Sequence, residues 1–295
     1  MPLAHSLAIV ECMSEHTHHH HGDHGNHDRS GLAEQLTLDA AVLGGYLDQA
    51  TEWAAGLAPE NPGVIVDAGS GSGVGTLALA RRFPAARIVA LDVSTEMLRH
   101  TRHAAQEQGL AGRLDTVEAD LNEAWPEIGA ADLIWAASSL HELADPERSM
   151  REMHAGLNPG GLLVVLEMDS LPSFLPDPAS AVRPAESGLE VRLHAALATM
   201  GWNSYPDWRA GLEKAGFDMI EQRSFRTVAR ATPELTARYA RAFLRRIHTA
   251  LGDVASAGDL AALGRLLADD GDESLTTRTD LAARGSRTAW AALKR

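Results

Sequence analysis

One cysteine, Cys12, stands in a chain of 295 residues. That excludes a disulfide within the chain and fits a reducing cytoplasm. Positive charge is also scarce: 26 lysines and arginines face 40 aspartates and glutamates, for a formal net charge of -14. Affinity for phosphate comes mainly from clustered lysine and arginine, so no nucleic-acid partner is expected; Arg241, Arg245 and Arg246 could form at most a local basic patch. No apolar run approaches the roughly 20 residues that span a bilayer, and the apolar start MPLAHSLAIVECM lacks a basic n-region and a convincing cleavage site. Neither a membrane association nor a leader is expected. No internal repeat is visible. Hydrophobic residues, at 45%, are ample for a core, whether in one large α/β domain with additions or in two small domains.

What is present is concentrated in the stretch from Val64 to Leu79, VIVDAGSGSGVGTLAL. It reads as a buried strand (Val64, Ile65, Val66), a carboxylate (Asp67), a turn with alternate glycines (Gly69, Gly71, Gly73, Gly75) and a helix from about Val74. Small residues let a ligand approach the backbone there, and a helix N-terminus offers free N–H groups. The carboxylate before the first glycine would repel a pyrophosphate but suits a ligand carrying an ammonium and a sulfonium. A dinucleotide fingerprint fits only as Gly73, Gly75 and Ala78, which begins too late, inside the expected helix.

On Val66, Asp67, Gly69, Gly71 and Gly73 the chain resembles the class I S-adenosylmethionine-dependent methyltransferases, whose first motif is hydrophobic-D-x-G-x-G-x-G. The resemblance implies an α/β fold: a Rossmann-like, seven-stranded, mostly parallel sheet with an antiparallel last strand, helices on both faces and helical cap insertions. It also implies S-adenosylmethionine as cofactor, held at the turn by Asp67, Ala68, Gly69, Ser70, Gly71 and Gly73.

The rest of the chain supplies further candidates in the expected order. Arg87 to Leu91 reads as the second strand, and Asp92 follows it, 25 residues after Asp67; a carboxylate there can accept from both ribose hydroxyls. In the family reading Val93 and Met97 pack on the adenine faces, although Met97 also fits ordinary helix packing. After the third strand, Leu114 to Glu118, Asp120 and Leu121 stand where the family meets the adenine amino group, Asp120 being equally suited to cap a turn. Asp132 to Ala137 is the fourth strand, and Ala136 and Ala137 are expected to line the methionine end. Ser138, Ser139, His141 and Glu142 follow toward the reacting centre. An N/D-P-P-Y/F motif is missing here, which points away from DNA bases and glutamine side chains. Leu140 and His141 instead resemble the small-molecule branch of the family. His141 is the candidate general base, because its unperturbed pKa lies near neutrality; hydrogen bonding to the backbone or enclosing the cofactor is its alternative. The turn Asn158 to Gly161 leads into a fifth strand, Leu162 to Leu166, with Glu167 at its end.

Outside this frame the signals are weaker. Gly31 to Leu57 has helical periodicity broken at Gly44 and Gly45, with Tyr46 a candidate for the substrate pocket or for the core. A proline-rich stretch from Leu171 to Pro184 is expected to be irregular, then a helix runs from Glu186 to Met200. This insertion, about 171–205, is read as a cap carrying Trp202 and Tyr205 toward the acceptor, or as an aromatic fastening. A second helical insertion, about 232–270, has no motif and leaves a further cap or a homodimer surface open. The last strand is Ser286 to Lys294. The domain from residue 31 to 295 follows a tail, residues 1–30, read as disordered and rich in histidine: His16, His18, His19, His20, His21, His24 and His27. Such imidazoles chelate divalent transition metals without a preformed cage.

The reading is therefore a cytoplasmic enzyme methylating a small-molecule acceptor at O, N or C. A metal-responsive protein that binds the nucleoside without turnover is its rival, and a nicotinamide oxidoreductase stands third. An arsenite acceptor is disfavoured, since arsenic chemistry wants several cysteines.

Overall fold

The computed structural model describes residues 35, 37–176, 187–202, 207–229, 231–252 and 254–295. The tail histidines and Tyr205 lie outside them. The chain divides into two compact units. One takes the described residues within Met1–Gly45, Ser170–Ser204 and Arg226–Ser286; the other is built from Tyr46–Asp169, Tyr205–Phe225 and Arg287–Arg295. Both segments read as insertions fall in the first unit.

The second unit carries the motifs. Its first helix, α1, Gly45–Leu57, begins at the unit boundary and is followed by strand β1, Val64–Ala68. Helix α2, Val74–Arg82, precedes β2, Arg87–Asp92, and α3, Thr95–Glu107, precedes β3, Leu114–Glu118. After β4, Ala131–Ala137, helix α4, Pro146–Gly156, leads to β5, Leu157–Ser173. These helices start where their sequences tell them to. Ser94 caps α3 by accepting from Met97 N–H, and Asp145 caps α4 by accepting from Arg148 N–H, with Pro146 in the first turn.

The seven strands lie in the order β3, β2, β1, β4, β5, β7, β6, with β6 at Asp218–Val228 and β7 at Arg284–Leu293. Strands β1 to β5 pair in parallel. At β7 the direction reverses: Gly160 N–H donates to Lys294 C=O and Lys294 N–H to Gly161 C=O, which sets the start of β5 against the end of β7. Alternate residues along each strand face opposite sides, so two cores form. Ile65, Ile88, Leu133, Trp135, Leu162 and Val164 pack with Tyr46, Ala50 and Trp53 of α1 and with Leu79 of α2. Val66, Val89, Ile134, Leu163 and Val165 pack instead with Met150 and Met153 of α4 and with Leu212 of helix α6, Arg209–Lys214. Helices therefore cover both faces of a Rossmann-like sheet.

The first unit is built by α5, Leu189–Thr199, α7, Pro233–Leu251, and α8, Ala257–Leu267. In α7, Tyr239, Ala240, Phe243, Leu244, Ile247 and Leu251 are buried at helical spacing, and Phe174 meets the rings of Tyr239 and Phe243 at centroid distances of 5.0 and 5.8 Å.

Two expectations need correction. Asn158 to Gly161 is not a turn ahead of the fifth strand. Strand β5 already pairs at Leu157 with Ala131 and resumes at Leu162 with Leu133, so the intervening residues bulge within the strand. Nor is the chain irregular from Leu171: β5 continues to Ser173, past the pairing of Leu166 with Ala137, where the proline in it, Pro172, takes no place in the β4 ladder. Among the described residues no helix is long and apolar enough to cross a membrane.

Candidate functional site

The strands of the second unit end together. Ala68 pairs with Leu91, Asp92 with Glu118, and Ala137 with Leu166, so the loops after β1, β2 and β4 open on one edge of the sheet, where β5 runs on past its β4 partners. Strand β1 is also where the order reverses, with β2 on one side and β4 on the other, and ligands of open α/β sheets sit beyond the carboxyl ends at such a point.

The glycine turn fills that point. Gly69, Gly71 and Gly73 have φ of 78°, 50° and 82°, a region that favours residues without Cβ. Two of them also have no room: a Cβ at Gly69 would lie 2.5 Å from Ser139 Cβ, and one at Gly73 2.4 Å from Thr101 Oγ1. A Cβ at Gly71 would meet nothing within 4 Å, so the backbone there faces open space. Beside it Ser70 Oγ is buried without a hydrogen-bond partner.

Asp92 closes the turn from the next strand. Its Oδ2 accepts from Gly71 N–H at 2.7 Å and its Oδ1 from Ser94 N–H at 2.8 Å. A carboxylate has about four acceptor sites, so each oxygen keeps one for a ligand hydroxyl. Val93, next in the chain, is 63% exposed, an apolar surface offered at the mouth of the crevice, and Met97 is half-buried one turn further. Asp120 accepts from Asn122 N–H through Oδ1, while Leu121 is buried in the core. Arg148 and Ser149 of α4 donate to Leu121 C=O and Arg148 also to Glu123 C=O, which ties this loop down. Ala68 and Ala136 are fully buried and Ala137 half-buried.

Asp67, expected at the cofactor, lies near the carboxyl end of β1. It is 2% exposed and turned beneath α2, where Thr76 Oγ1 donates to its Oδ2 at 2.6 Å. Burial, with some help from the Asp92 charge, pushes its pKa up to about 7 against the Thr76 hydrogen bond. Its pairing partner across the sheet is Trp135, and Gly75 lets α2 rest on both: a Cβ there would lie 3.5 Å from Asp67 Oδ2 and from Trp135 Nε1.

Beyond β4 the turn Ser138–Glu142 passes the glycine turn, with Ser139 Oγ donating to Ala68 C=O at 2.8 Å. His141 has a carboxylate at each ring nitrogen: Glu167 Oε2 lies 2.8 Å from Nδ1 and Glu142 Oε1 3.1 Å from Nε2. Burial opposes charge on this ring, but the bonds to Glu142 and Glu167 outweigh it and push the pKa up to about 10. A ring that donates from both nitrogens has no lone pair to accept a proton.

The remaining candidates are elsewhere. Tyr46 is buried in the core, with the Arg287 guanidinium 5.2 Å from its ring. Trp202 belongs to the first unit, where Arg246 stands 5.4 Å from its ring. Tyr205 and the tail histidines are outside the described residues, among which no group of three or more metal-ligating side chains occurs. A groove of about 490 Å³ along Gln49, Glu52, Trp53 and Arg223 holds none of the site residues. Thr76, Thr101 and Arg148 were missed, since nothing in their local sequence shows that they brace Asp67, Gly73 and the loop at Leu121.

Comparison with known proteins agrees with this geometry. Residues 65–161 match a family described as a methyltransferase domain. The malonyl-[acyl-carrier protein] O-methyltransferase of Laribacter hongkongensis is 32% identical over 138 residues, 45% of this chain and 44% of that protein. The trans-aconitate 2-methyltransferase of an Azoarcus species is 35% identical over 106 residues, 36% of this chain and 39% of that protein. The chain thus spans less than half the length of these curated relatives. A crystal structure of a candidate methyltransferase from Bacillus halodurans superposes with a TM-score of 0.51 at 16% identity, covering 82% of this chain and 97% of the other, which shows the shared fold. The likeness to methyltransferases is thus one of this region and of the fold.

Proposed function

We propose that the protein transfers the methyl group of S-adenosylmethionine to a small-molecule acceptor. The observation that carries this is Asp92, which pins Gly71 with one lone pair and keeps acceptor sites for ribose hydroxyls beside the exposed face of Val93. Gly71 gives the ligand backbone access without a clash, and Ser70 Oγ supplies a polar atom that lacks a partner. Asp120 stands ready for an exocyclic amine. Asp92, the partly ionised Asp67 and the net negative charge left on the Glu142–His141–Glu167 group give this edge of the sheet a negative field that suits a cationic ligand.

When bound, S-adenosylmethionine supplies an already activated methyl group on sulfur, open to in-line displacement. The chain's own part is alignment and exclusion of water by Ala68, Ala136 and Ala137. The two relatives are named for malonyl and trans-aconitate acceptors, both carboxylic acids, and a carboxylate is the acceptor class to try first. The single cysteine supports placement in the cytoplasm.

Calorimetric titration with S-adenosylmethionine tests the reading. Asp92→Ala is expected to weaken binding by about tenfold or more, the size of one or two charge-assisted hydrogen bonds. A wild type that binds none of it would sink the proposal. A metabolite screen, scored by release of S-adenosylhomocysteine, then finds the acceptor.

A further inference from the structure

The turn Ser138–Glu142 is held by one buried side chain. Glu167 follows directly on Leu166, the last β5 residue paired with β4, and is 4% exposed. Its Oε1 accepts from Ser139 N–H at 3.1 Å and from Leu140 N–H at 3.0 Å, and its Oε2 meets Nδ1 of His141 at 2.8 Å. Three successive residues are thus fastened to one carboxylate. Ser138, at φ 53°, takes a conformation rarely used by residues with a side chain, and its N–H donates to Leu166 C=O at 2.8 Å. The fastened turn in turn presses on the glycine turn through Ser139, whose Oγ donates to Ala68 C=O and whose Cβ fills the space a side chain at Gly69 would need.

The ring of His141 is fixed by the same contacts. Carboxylate oxygens accept hydrogen bonds and do not donate them, so a ring with one at each nitrogen carries hydrogen on both. The titratable groups that face it are Glu142, on its own turn, and Glu167, from β5. About a third of the imidazole side chain is exposed and the outer partner, Glu142, is half exposed, whereas Glu167 is buried, so the inner contact governs the orientation.

We propose that Glu167 and His141 are positioning residues: a carboxylate–imidazolium pair that sets the Ser138–Glu142 turn against the glycine turn and so shapes the methionine end of the cofactor site, with no proton passed to His141 during methyl transfer. The proposal rests on the reading of the site as one for S-adenosylmethionine. Its consequence for the acceptor is direct. The attacking atom must bring an electron pair that needs no deprotonation by this histidine, as a carboxylate oxygen does at neutral pH.

Nitrogen-15 spectra of the full chain read the ring nitrogens without any ligand. The wild type is expected to keep both ring nitrogens of His141 protonated from about pH 6 to about pH 9, well past the ordinary histidine value. In Glu167→Gln the ring should titrate near that ordinary value, and the dissociation constant for S-adenosylmethionine should rise about tenfold, the size of a lost hydrogen bond. A wild-type ring that loses a proton between about pH 6 and about pH 7.5 overturns the proposal, as does a Glu167→Gln variant with unchanged titration and unchanged affinity. Should Glu167→Gln not fold, Glu167→Asp takes its place: the charge remains but the reach shortens, so the proposal requires a ring that stays charged and binding that weakens. If the wild-type ring is charged but S-adenosylmethionine does not bind, the cofactor reading fails, and with it the purpose assigned to the turn.

Discussion

Each unit holds a buried glutamate that accepts from two consecutive backbone N–H groups, and the two differ in what balances their charge. Glu167 takes Ser139 and Leu140 and touches the His141 ring. Glu190, in the first turn of α5, takes Phe174 at 2.8 Å and Leu175 at 3.0 Å. Among the described residues no cation touches it in the same way. Arg278 is engaged by Asp280 and Arg284 donates to Leu175 C=O, so both act on Glu190 from a distance. Burial prevails, and the Glu190 pKa is pushed up to about 7 against the backbone bonds. The clamp at the edge of the candidate site has the His141 ring in contact with it; the one in α5 has no such contact among the described residues and is poised to gain a proton.

The largest effects should come from deleting the clamps. Glu190→Leu and Glu167→Leu each leave two buried N–H groups unpaired, at about 1–3 kcal/mol apiece, so urea unfolding should show losses of roughly 2–5 kcal/mol. Cofactor affinity breaks the symmetry: the folded fraction of Glu190→Leu should bind S-adenosylmethionine as the wild type does, and Glu167→Leu should not. Equal affinities would mean that the two clamps do the same work.

Next in size is the pH dependence. Glu190 in the folded chain sits above its unfolded value of 4.5, at about 7. Its contribution to stability is full below the unfolded value and is lost as pH rises through about 7, a fall on the order of 3 kcal/mol. Asp67, raised from 3.8 to about 7, adds a slope of the same sign. His141, raised from 6.5 to about 10, contributes fully below 6.5 and loses its contribution progressively as pH rises from there through about 10. Denaturant midpoints against pH should therefore fall from about pH 5 upward, with Glu190→Gln and Asp67→Asn each removing part of the slope below about pH 8 and His141→Gln part of the slope above 6.5.

Asp67 also gives a smaller, ligand-linked signal. A cation bound beside it favours the ionised form, so S-adenosylmethionine binding near pH 7 should release up to about half a proton, read as a heat of binding that changes with the buffer. Asp67→Asn should abolish the release while changing affinity by less than about threefold, because the carboxyl is buried under α2 and bonded to Thr76.

Much of this frame was legible in the sequence because its signals are local. Asp67 to Gly73 and the aspartate after β2 are read from neighbours in the chain, and the strands from short apolar runs. Contacts across the sheet were not legible. Nothing in LLVVLEMD tells that Glu167 reaches back 26 residues to His141, and nothing in VIVDAG tells which way Asp67 turns until α2 is docked on it. Asn158-Pro159-Gly160-Gly161 carries every mark of a turn, and only the pairing with β4 shows it to be a bulge. The first unit is assembled from three separated segments, a division that hydropathy along the chain cannot reveal.

The smallest effect separates the two carboxylates on one ring. Glu142 and Glu167 both lie within hydrogen-bond reach of His141, but the Glu142 side chain is 49% exposed and that of Glu167 only 5%. Water competes for the outer pair and ordering two mobile side chains costs entropy, so exposed pairs contribute less than about 1 kcal/mol. Glu142→Gln is therefore expected to change stability by under about 0.5 kcal/mol and S-adenosylmethionine affinity by less than about twofold. The ring should stay charged near neutrality, since the buried carboxylate is not exchanged for water and still demands a donor from Nδ1. If Glu142→Gln instead returns the ring to ordinary titration, the charge at position 141 depends on a surface contact that can swing away. Nε2 would then be freed as a base while Glu167 orients the ring, and the two clamps would differ in chemistry as well as in their balance of charge.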